Sequence, residues 1–349
     1  MKVRTANTLA AAIAVTTAAF ASMAQANPQV DSTQYQQCIM EHLATAAPDT
    51  TVSELKARCE SLSQSISVAA SEQPAEQTQT PFEHRYTVEH ETRDELFVLQ
   101  PHKPNYLLPI SHSFSRNYVT DGDQTYKLDS NEVQFQISLK TPVAQGLFHE
   151  NGDLYFAYTN RSWWQAYNSD ISSPFRETNH EPEVFYSFTT DHDLFGMKVR
   201  NLTLGLSHQS NGKGGDRSRS WNRVYASVLM EKGNFYLHLK PWFRLKEKEK
   251  DYVGDPNGDD NPDINKYMGN GELSMFYKFS NEHSLSLMLR NNLRKDNKGA
   301  AQLGWSFPLP GAERLRGYVQ YFNGYGESLV DYNESVSRLS IGFMLTDWL

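Results

Sequence analysis

The 349-residue sequence lacks any apolar segment long enough to cross a membrane as a helix. Its longest apolar run, from about Leu9 to Phe20, falls short of the roughly 20 residues that a spanning helix needs. Hydrophobic residues make up only 39% of the chain, against about 45–50% in globular proteins. The core is therefore small, or the apolar residues are spread thinly along the chain.

Basic charge and cysteine are also scarce. The formal net charge is −8, and no basic stripe is available to release counterions, so nucleic acid is not expected as a partner. The two cysteines, Cys38 and Cys59, both lie near the N-terminus. In an exported protein they predict a disulfide between two short helices, residues 34–46 and 51–63, rather than a redox site.

The N-terminus carries the features of a secretory signal. Lys2 and Arg4 precede the apolar run, and Ala24-Gln25-Ala26 follows it, which is the pattern of a signal peptide with its cleavage site. We predict a signal peptide over residues 1–26, then a helical hairpin and a polar linker over 27–85. The linker, residues 64–85, has no apolar periodicity. Residues 86–349 form the main domain.

In that domain the hydrophobic pattern has a period of two. Val133, Phe135, Ile137 and Leu139, for example, alternate with polar residues, as in a strand with one apolar and one polar face. From residue 105 onward such segments number about twelve. Their centres lie near residues 110, 136, 158, 186, 202, 226, 238, 272, 288, 303, 319 and 341.

An even number of amphipathic strands in an exported chain predicts a transmembrane β-barrel, and a soluble β-sandwich is the alternative. All six tryptophans lie at or near predicted strand ends, where interfacial girdles need aromatic residues. They are Trp163, Trp164, Trp221, Trp242, Trp305 and Trp348. The fold class expected is therefore all-β, a twelve-stranded antiparallel transmembrane barrel with a short helical N-terminal extension.

Strand parity places three reactive residues on one side of this barrel. In the segment "GLSHQSNGKGGDRSRSWNR", residues 205–223, His208 and Ser210 share a face with the leucines before them, and Asn222 shares the apolar face of the next strand. A hairpin therefore brings all three together on the lipid side. They supply a hydroxyl nucleophile, a base and an amide that orients the imidazole. A hydrolytic triad and a chance polar rim are both compatible with this pattern.

Four longer segments resemble the bacterial outer-membrane phospholipase A family. They are "SWWQAYNSDISSPFRETNHEPEVF" (162–185), "HQSNGKGGDRSRSWNRVY" (208–225), "DDNPDINKYMG" (259–269) and "NGYGESLVDYN" (323–333). The resemblance runs from about residue 105 to the C-terminus and implies a twelve-stranded barrel. It also implies hydrolysis of phospholipid and lysophospholipid acyl esters by a dimer that needs Ca²⁺.

Carried over by position, the family's catalytic roles fall on five residues of this chain. The resemblance makes Ser210 the nucleophile, His208 the general base and Asn222 the residue that orients the imidazole. The backbone N–H of Gly212 becomes an oxyanion donor, and Trp164 lines the acyl cleft. Ca²⁺ would polarise the ester carbonyl, directly or through water.

The family's calcium site implies oxygen ligands from two copies of the chain. They are the Ser218 hydroxyl, the Lys213 carbonyl and a serine of the second copy that matches Ser172, with Asp260 as a candidate for a weaker site. The chain departs from the family at Lys213, where arginine is usual, and at Asn160, where a glutamine hydrogen-bonds across the dimer interface. Because the ligand at Lys213 is a carbonyl, calcium binding should survive the change.

Two other readings compete with the phospholipase. A passive barrel predicts an open polar lumen and indifference to changes at Ser210, whereas a rim protease would need acidic groups that activate water. The charge run 246–250 is interpreted as a solvated loop, and the last strand, "RLSIGFMLTDWL", resembles the signal read by the outer-membrane insertion machinery. The partners expected are thus membrane phospholipids, a second copy of the chain and that machinery.

Overall fold

The computed structural model describes residues 80–347, apart from 92–96, 116–117, 122–123, 148–150, 253–254 and 256, together with Thr51 and Lys56. The chain divides into two units, residues 1–78 and 79–349, and all the strands belong to the second. The predicted signal peptide, the Cys38–Cys59 disulfide, the first hairpin and Trp348 lie outside the described residues and stay predictions. In the described part, no helix has both the length and the apolarity to span a membrane.

Twelve antiparallel strands close into a barrel, as the sequence predicts. They are β2 (Asn105–Ser113), β5 (Asn131–Ala144), β6 (Asp153–Trp164), β7 (Phe175–Leu194), β8 (Met197–Ser210), β9 (Ser220–Lys232), β10 (Phe235–Leu245), β11 (Gly271–Lys278), β12 (Ser284–Asn291), β13 (Gly299–Leu309), β14 (Ala312–Tyr325) and β15 (Ser335–Thr346). Each pairs with its neighbours in the chain, β15 pairs with β2, and the pairing of β5 with both β2 and β6 closes the ring. A two-residue strand, β1 (Gln100–Pro101), adds to β5, and β3 (Tyr118–Asp121) and β4 (Gln124–Lys127) form a separate hairpin. A single closed sheet replaces the two sheets that a sandwich would have.

The two ends of the barrel differ in their connections. Tight turns join most of the strands at one end, the turn end; Gly233, with φ of 58°, lies in the turn between β9 and β10. A positive φ is the conformation that glycine adopts at least cost. Longer loops join them at the other end, the loop end, and the longest of these contains the short helix α2 (Ile264–Met268). Barrels of the outer membrane place short turns in the periplasm and long loops outside.

Alternation along the strands gives the barrel an apolar outside and a polar inside. In β8, Leu204 and Leu206 are 59% and 55% exposed, whereas Ser207 on the opposite face is 3% exposed. The other strands show the same pattern, with Leu107, Ile137, Val184, Leu239, Leu289, Leu303 and Ile341 exposed on the outer surface. So large an exposed apolar surface is what a lipid-facing band requires.

The tryptophans do not all form the girdle that the sequence predicted. Trp163, Trp221 and Trp242 are buried, with Trp221 and Trp242 packed edge to face. Trp164 and Trp305 are exposed. The reason is parity: successive side chains in a strand point to opposite faces, so Trp163 and Trp164 cannot both reach lipid. Position at a strand end does not by itself assign a tryptophan to the girdle.

A helix, α1 (Pro81–Glu91), precedes the barrel, so the polar linker predicted for residues 64–85 is wrong for residues 81–85. Its start is a capping box: the Thr80 N–H donates to Glu83 Oε2 at 3.0 Å, and the Glu83 N–H donates to Thr80 Oγ1 at 3.3 Å. Pro81 occupies the first helical position, where its missing N–H does no harm. The signal was therefore present as Thr-Pro-Phe-Glu, and an apolar period was the wrong feature to look for.

Ion pairs dock α1 across the turn-end mouth of the lumen. Glu89 pairs with Lys140 of β5 at 2.7 Å, Glu83 pairs with Arg200 of β8 at 2.7 Å, and Arg85 donates to the Pro101 carbonyl at 2.9 Å. Side chains of α1 line a lumen cavity of about 410 Å³. Burial raises the pKa of Glu89, but the Lys140 and Arg85 charges outweigh it and lower that pKa to about 2.

This shift predicts how firmly α1 is held. In docked α1 the pKa of Glu89 is lowered from 4.5 to about 2. The contribution of Glu89 to the free energy of docking is therefore complete above pH 4.5, declines as the pH falls and is lost near pH 2. Glu89→Gln should therefore speed amide hydrogen exchange in α1 at pH 7 by about 10- to 100-fold. Glu91→Gln, an exposed site in the same helix, is the control. Equal exchange in both variants would contradict this account of the docking.

Candidate active site

The hairpin of β8 and β9 positions the predicted base and its orienting residue. His208 and Asn222 are direct register partners, and His208 Nδ1 lies 2.8 Å from Asn222 Oδ1. Both side chains lie on the outer face near the loop end, in line with Leu206. The lumen side of the same strands carries Ser207 and Arg223, which are buried. The parity reading is thus confirmed for orientation.

Ser210 is the last residue of β8, on the same face as His208. Its register partners are Ser220 of β9 and His180 of β7. Two residues along a strand span about 7 Å, and no hydrogen bond joins Ser210 Oγ to His208 among the described residues. Catalytic hydrogen bonds are often long before substrate binds. The structure therefore brings the three side chains to one patch of the surface, without a hydrogen bond between Ser210 and His208 among the described residues.

An apolar cleft opens beside this patch. Its walls carry Phe156, Pro182, Val184, Leu206 and Leu245, and His208 and Asn222 lie along it. The walls are outward-facing residues of β6, β7, β8 and β10, and β9, which lies between β8 and β10, contributes Asn222. These apolar walls offer a surface against which a hydrocarbon chain could pack.

One buried asparagine fixes the backbone of the loop after Ser210. Asn211 is 4% exposed; its Oδ1 accepts from the N–H groups of Lys213 (3.3 Å) and Arg219 (3.0 Å), and its Nδ2 donates to the Arg217 carbonyl at 2.8 Å. Gly212 then takes a φ of +63°, and its N–H makes no hydrogen bond within the described part of the chain. A donor left free at this point suits a developing negative charge. Sequence reasoning named Gly212 and missed Asn211.

Two of the predicted calcium ligands lie together in the loops above. The Ser218 hydroxyl donates to Asp260 Oδ2 at 2.5 Å, and the Ser220 N–H donates to Asn261 Oδ1 at 3.0 Å, which joins the β8–β9 and β10–β11 loops. Asp260 also pairs with Lys250 at 2.6 Å. A hydroxyl and a carboxylate are the hard oxygen donors that Ca²⁺ prefers, so this donor set fits the ion.

Lys213 lies in the same β8–β9 loop as Ser218. Its Nζ lies 3.2 Å from Glu177 Oε2, and burial lowers the pKa of Lys213 despite that partner. The Lys213 carbonyl accepts no hydrogen bond from any described residue, which leaves it available as a ligand. Within the described residues no cluster of three or more His, Cys, Asp or Glu side chains could hold a metal. A calcium site here would therefore depend on hydroxyl and carbonyl oxygens beside the one carboxylate.

Ser172 lies in the loop between β6 and β7, and Trp164 is the last residue of β6 before that loop. Ser172 is exposed and has a φ of 60°. Trp164 is 37% exposed, donates its indole N–H to the Ser173 carbonyl at 2.8 Å and stacks on Phe175. Because β7 separates Trp164 from β8, the structure places Trp164 on the same outer surface as Ser210 but not against it. Ser172 lies in the β6–β7 loop and Ser218 in the β8–β9 loop, and no hydrogen bond joins them among the described residues.

Sequence reasoning missed two residues close to His208, Asn222 and Ser210, namely Glu247 and His180. Asn222 Nδ2 donates to Glu247 Oε1 at 2.9 Å, so the run 246–250 is not simply a solvated loop, although Lys248 in it is exposed. His180 lies opposite Ser210. Its Nδ1 is within hydrogen-bond distance of Tyr158 Oη, at 2.6 Å, and of Asn160 Nδ2, at 3.4 Å. The Asn160 amide therefore contacts a neighbour on its own barrel. Neither contact has a local sequence signal, because each joins different strands or loops.

Comparison with known proteins places this architecture in a family. The profile described as phospholipase A1 matches residues 82–345. The phospholipase A1 of Klebsiella pneumoniae is 40% identical over 255 residues, which cover 73% of this chain and 84% of that protein. The Escherichia coli phospholipase A1 is also 40% identical over 255 residues, which cover 73% of this chain and 83% of that protein.

Solved structures agree. The outer membrane phospholipase A of Escherichia coli superposes with a TM-score of 0.64 at 38% identity, covering 73% of this chain and 95% of that one. A Salmonella typhi outer membrane phospholipase, described as a dimer with bound calcium, superposes with a TM-score of 0.63 at 38% identity. The match covers 72% of this chain and 93% of that one. The chain belongs to the phospholipase A1 family of outer-membrane β-barrel ester hydrolases.

Proposed function

We propose that this protein is a calcium-dependent phospholipase A1/A2 that hydrolyses acyl esters of phospholipids and lysophospholipids from the lipid-facing side of its barrel, and that it is active as a homodimer. The observation that carries the proposal is the His208–Asn222 pair, joined at 2.8 Å on the outer face beside Ser210 and an apolar cleft. A base and a hydroxyl that face lipid have the lipid's own esters as the nearest substrate.

The reaction follows the acyl-transfer scheme of a serine hydrolase. Ser210 Oγ attacks the ester carbonyl carbon while His208 Nε2 takes the hydroxyl proton, and the Gly212 N–H donates to the oxyanion. The imidazolium returns its proton to the leaving glycerol oxygen as the carbon–oxygen bond breaks, which leaves an acyl-serine and a lysophospholipid. Water then attacks the acyl-serine with His208 again as the base, releasing the fatty acid and restoring Ser210. Asn222 holds the imidazole in the orientation that both steps need.

Ser218, Asp260 and the Lys213 carbonyl would hold Ca²⁺, together with Ser172 of the partner subunit. When bound, the ion supplies positive charge near the ester carbonyl. A ligand contributed by the second copy makes the monomer inactive, which suits an enzyme that faces its own membrane. Because the Asn160 amide is engaged by His180 and Ser162, a dimer contact through that amide would require it to exchange partners.

The direct test is fatty acid release from phospholipid mixed micelles by the refolded protein, with calcium and with a chelator. Release that needs calcium, together with covalent labelling of Ser210 by an alkyl phosphonate ester, is the expected result. No release and no labelling from a folded, dimeric, calcium-loaded protein would overturn the proposal and favour a passive barrel. Cleavage of peptides instead of lipids would favour a rim protease.

The calcium ligands predict a change in affinity. Ser218→Ala removes one oxygen ligand and should raise the calcium concentration for half-maximal activity by about tenfold, since a lost ligand is worth on the order of 1.4 kcal/mol. The activity at saturating calcium should change little. Ser280→Ala, in a turn at the opposite end of the barrel, is the matched control. An unchanged calcium dependence in Ser218→Ala would place the ion elsewhere.

A further inference from the structure

Asn222 uses both ends of its amide. Its Oδ1 lies 2.8 Å from His208 Nδ1, and its Nδ2 donates to Glu247 Oε1 at 2.9 Å. Glu247 follows β10, in the run 246–250 between β10 and α2. It is half-buried, whereas its neighbours Lys246, Lys248 and Glu249 are exposed. Asn222 is its only hydrogen-bond partner among the described residues.

We infer that Glu247 is a positioning residue of the reaction, the fourth member of a chain Ser210–His208–Asn222–Glu247. This inference rests on the proposed function, because it concerns how the His208 base is prepared. A carboxylate can only accept hydrogen bonds at neutral pH, so Glu247 requires the amide nitrogen of Asn222 to face it. The amide oxygen must then face His208.

That orientation decides which nitrogen of His208 is the base. An oxygen at Nδ1 requires Nδ1 to carry the proton, and Nε2 keeps its lone pair for Ser210. If the amide were reversed, its NH₂ group would donate to Nδ1 and the proton would move to Nε2, where it blocks the reaction. An isolated asparagine has no strong preference between the two orientations. Glu247 supplies that preference.

Glu247 also supplies a charge that asparagine lacks. In the transition state His208 becomes an imidazolium, and a carboxylate one amide away, at about 7 Å, attracts it with an energy equivalent to a rate factor of about 3 to 50. Arg223, which also borders the cleft, points into the lumen, where it pairs with Glu181 at 2.6 Å. Its positive charge is thus largely neutralised, whereas the Glu247 carboxylate, bound to Asn222, forms no ion pair among the described residues.

The test is a series at position 247 in the full-length, calcium-loaded protein. Glu247→Gln keeps an oxygen acceptor but loses the charge, and kcat should fall about tenfold with KM changed less than about twofold. Glu247→Ala loses both, so kcat should fall about 30- to 100-fold. Glu247→Asp should recover part of the loss. Glu249→Gln, exposed in the same run, should behave as wild type.

A second readout separates positioning from a structural role. Without the carboxylate the imidazolium forms less readily, so the acid limb of the kcat/KM profile should move to lower pH by about half a unit or more in Glu247→Gln. A kcat and a pH profile equal to wild type in both Glu247→Gln and Glu247→Ala would overturn the inference. If wild type itself neither releases fatty acid nor labels Ser210, the proposed function has failed instead, and the two failures are distinguishable.

Discussion

Ser210→Ala is expected to lower kcat for fatty acid release by about 10³-fold or more, because removing the nucleophile of a serine hydrolase leaves only the contributions of substrate binding and the oxyanion donor. The barrel should fold normally, since Ser210 Oγ has no hydrogen-bond partner among the described residues. The measurement is fatty acid release at saturating calcium. A shift in gel mobility on heating confirms that the variant is folded.

Ser207→Ala is the matched control, three residues earlier in the same strand and buried on the lumen side. It should retain activity within about threefold, because its hydroxyl contacts Glu181 and Arg223 and not the outer patch. A folded Ser210→Ala variant with wild-type rates would remove Ser210 from the mechanism. Similar losses in both variants would indicate a structural effect on β8 rather than a missing nucleophile.

Glu132→Ala is expected to have the largest effect on stability. The Glu132 carboxylate lies in the lumen near the loop end, 2% exposed, and accepts from Arg176 at 3.0 Å and from Arg338 at 2.9 Å. Removing it leaves two buried guanidinium groups beside each other. Breaking a buried ion pair from one side costs about 3–5 kcal/mol in the free energy of unfolding.

Arg176 and Arg338 keep one acid each, Asp331 and Glu327, so the loss should fall within that range and not above it. The measurement is guanidinium unfolding of the barrel in detergent, followed by tryptophan fluorescence. Asp251→Asn is the control, because its pair with Lys248 is exposed on both sides and should contribute less than about 1 kcal/mol. Equal midpoints for the two variants would show that the lumen network does not limit stability.

Much of the barrel could be predicted because one period governs it. All twelve predicted segments are strands, and the lipid side of β8 and β9 follows from which parity carries leucine and valine. The alternation is a local property that survives in the sequence without any knowledge of the partner strand. The same rule, applied residue by residue, would have placed Trp163 in the lumen. Position near a strand end was the weaker indicator.

Elements without that period were harder to predict. Helix α1 has no amphipathic stripe and is held by ion pairs with β5 and β8, so only its capping box was visible. The hairpin of β3 and β4 and the helix α2 lie in loops, where turn chemistry and contacts with other loops decide the structure.

The sequence by itself determined the barrel, the outward face of His208, Ser210 and Asn222, and the likeness to a lipid hydrolase, because strand parity and long motifs are local. Only the tertiary structure decided what surrounds them. The contacts of Asn222 with Glu247, of Ser210 with the His180 strand and of Ser218 with Asp260 each join segments that are far apart in the chain. Their distances depend on barrel closure and loop packing, and no pattern of residues within one segment records them.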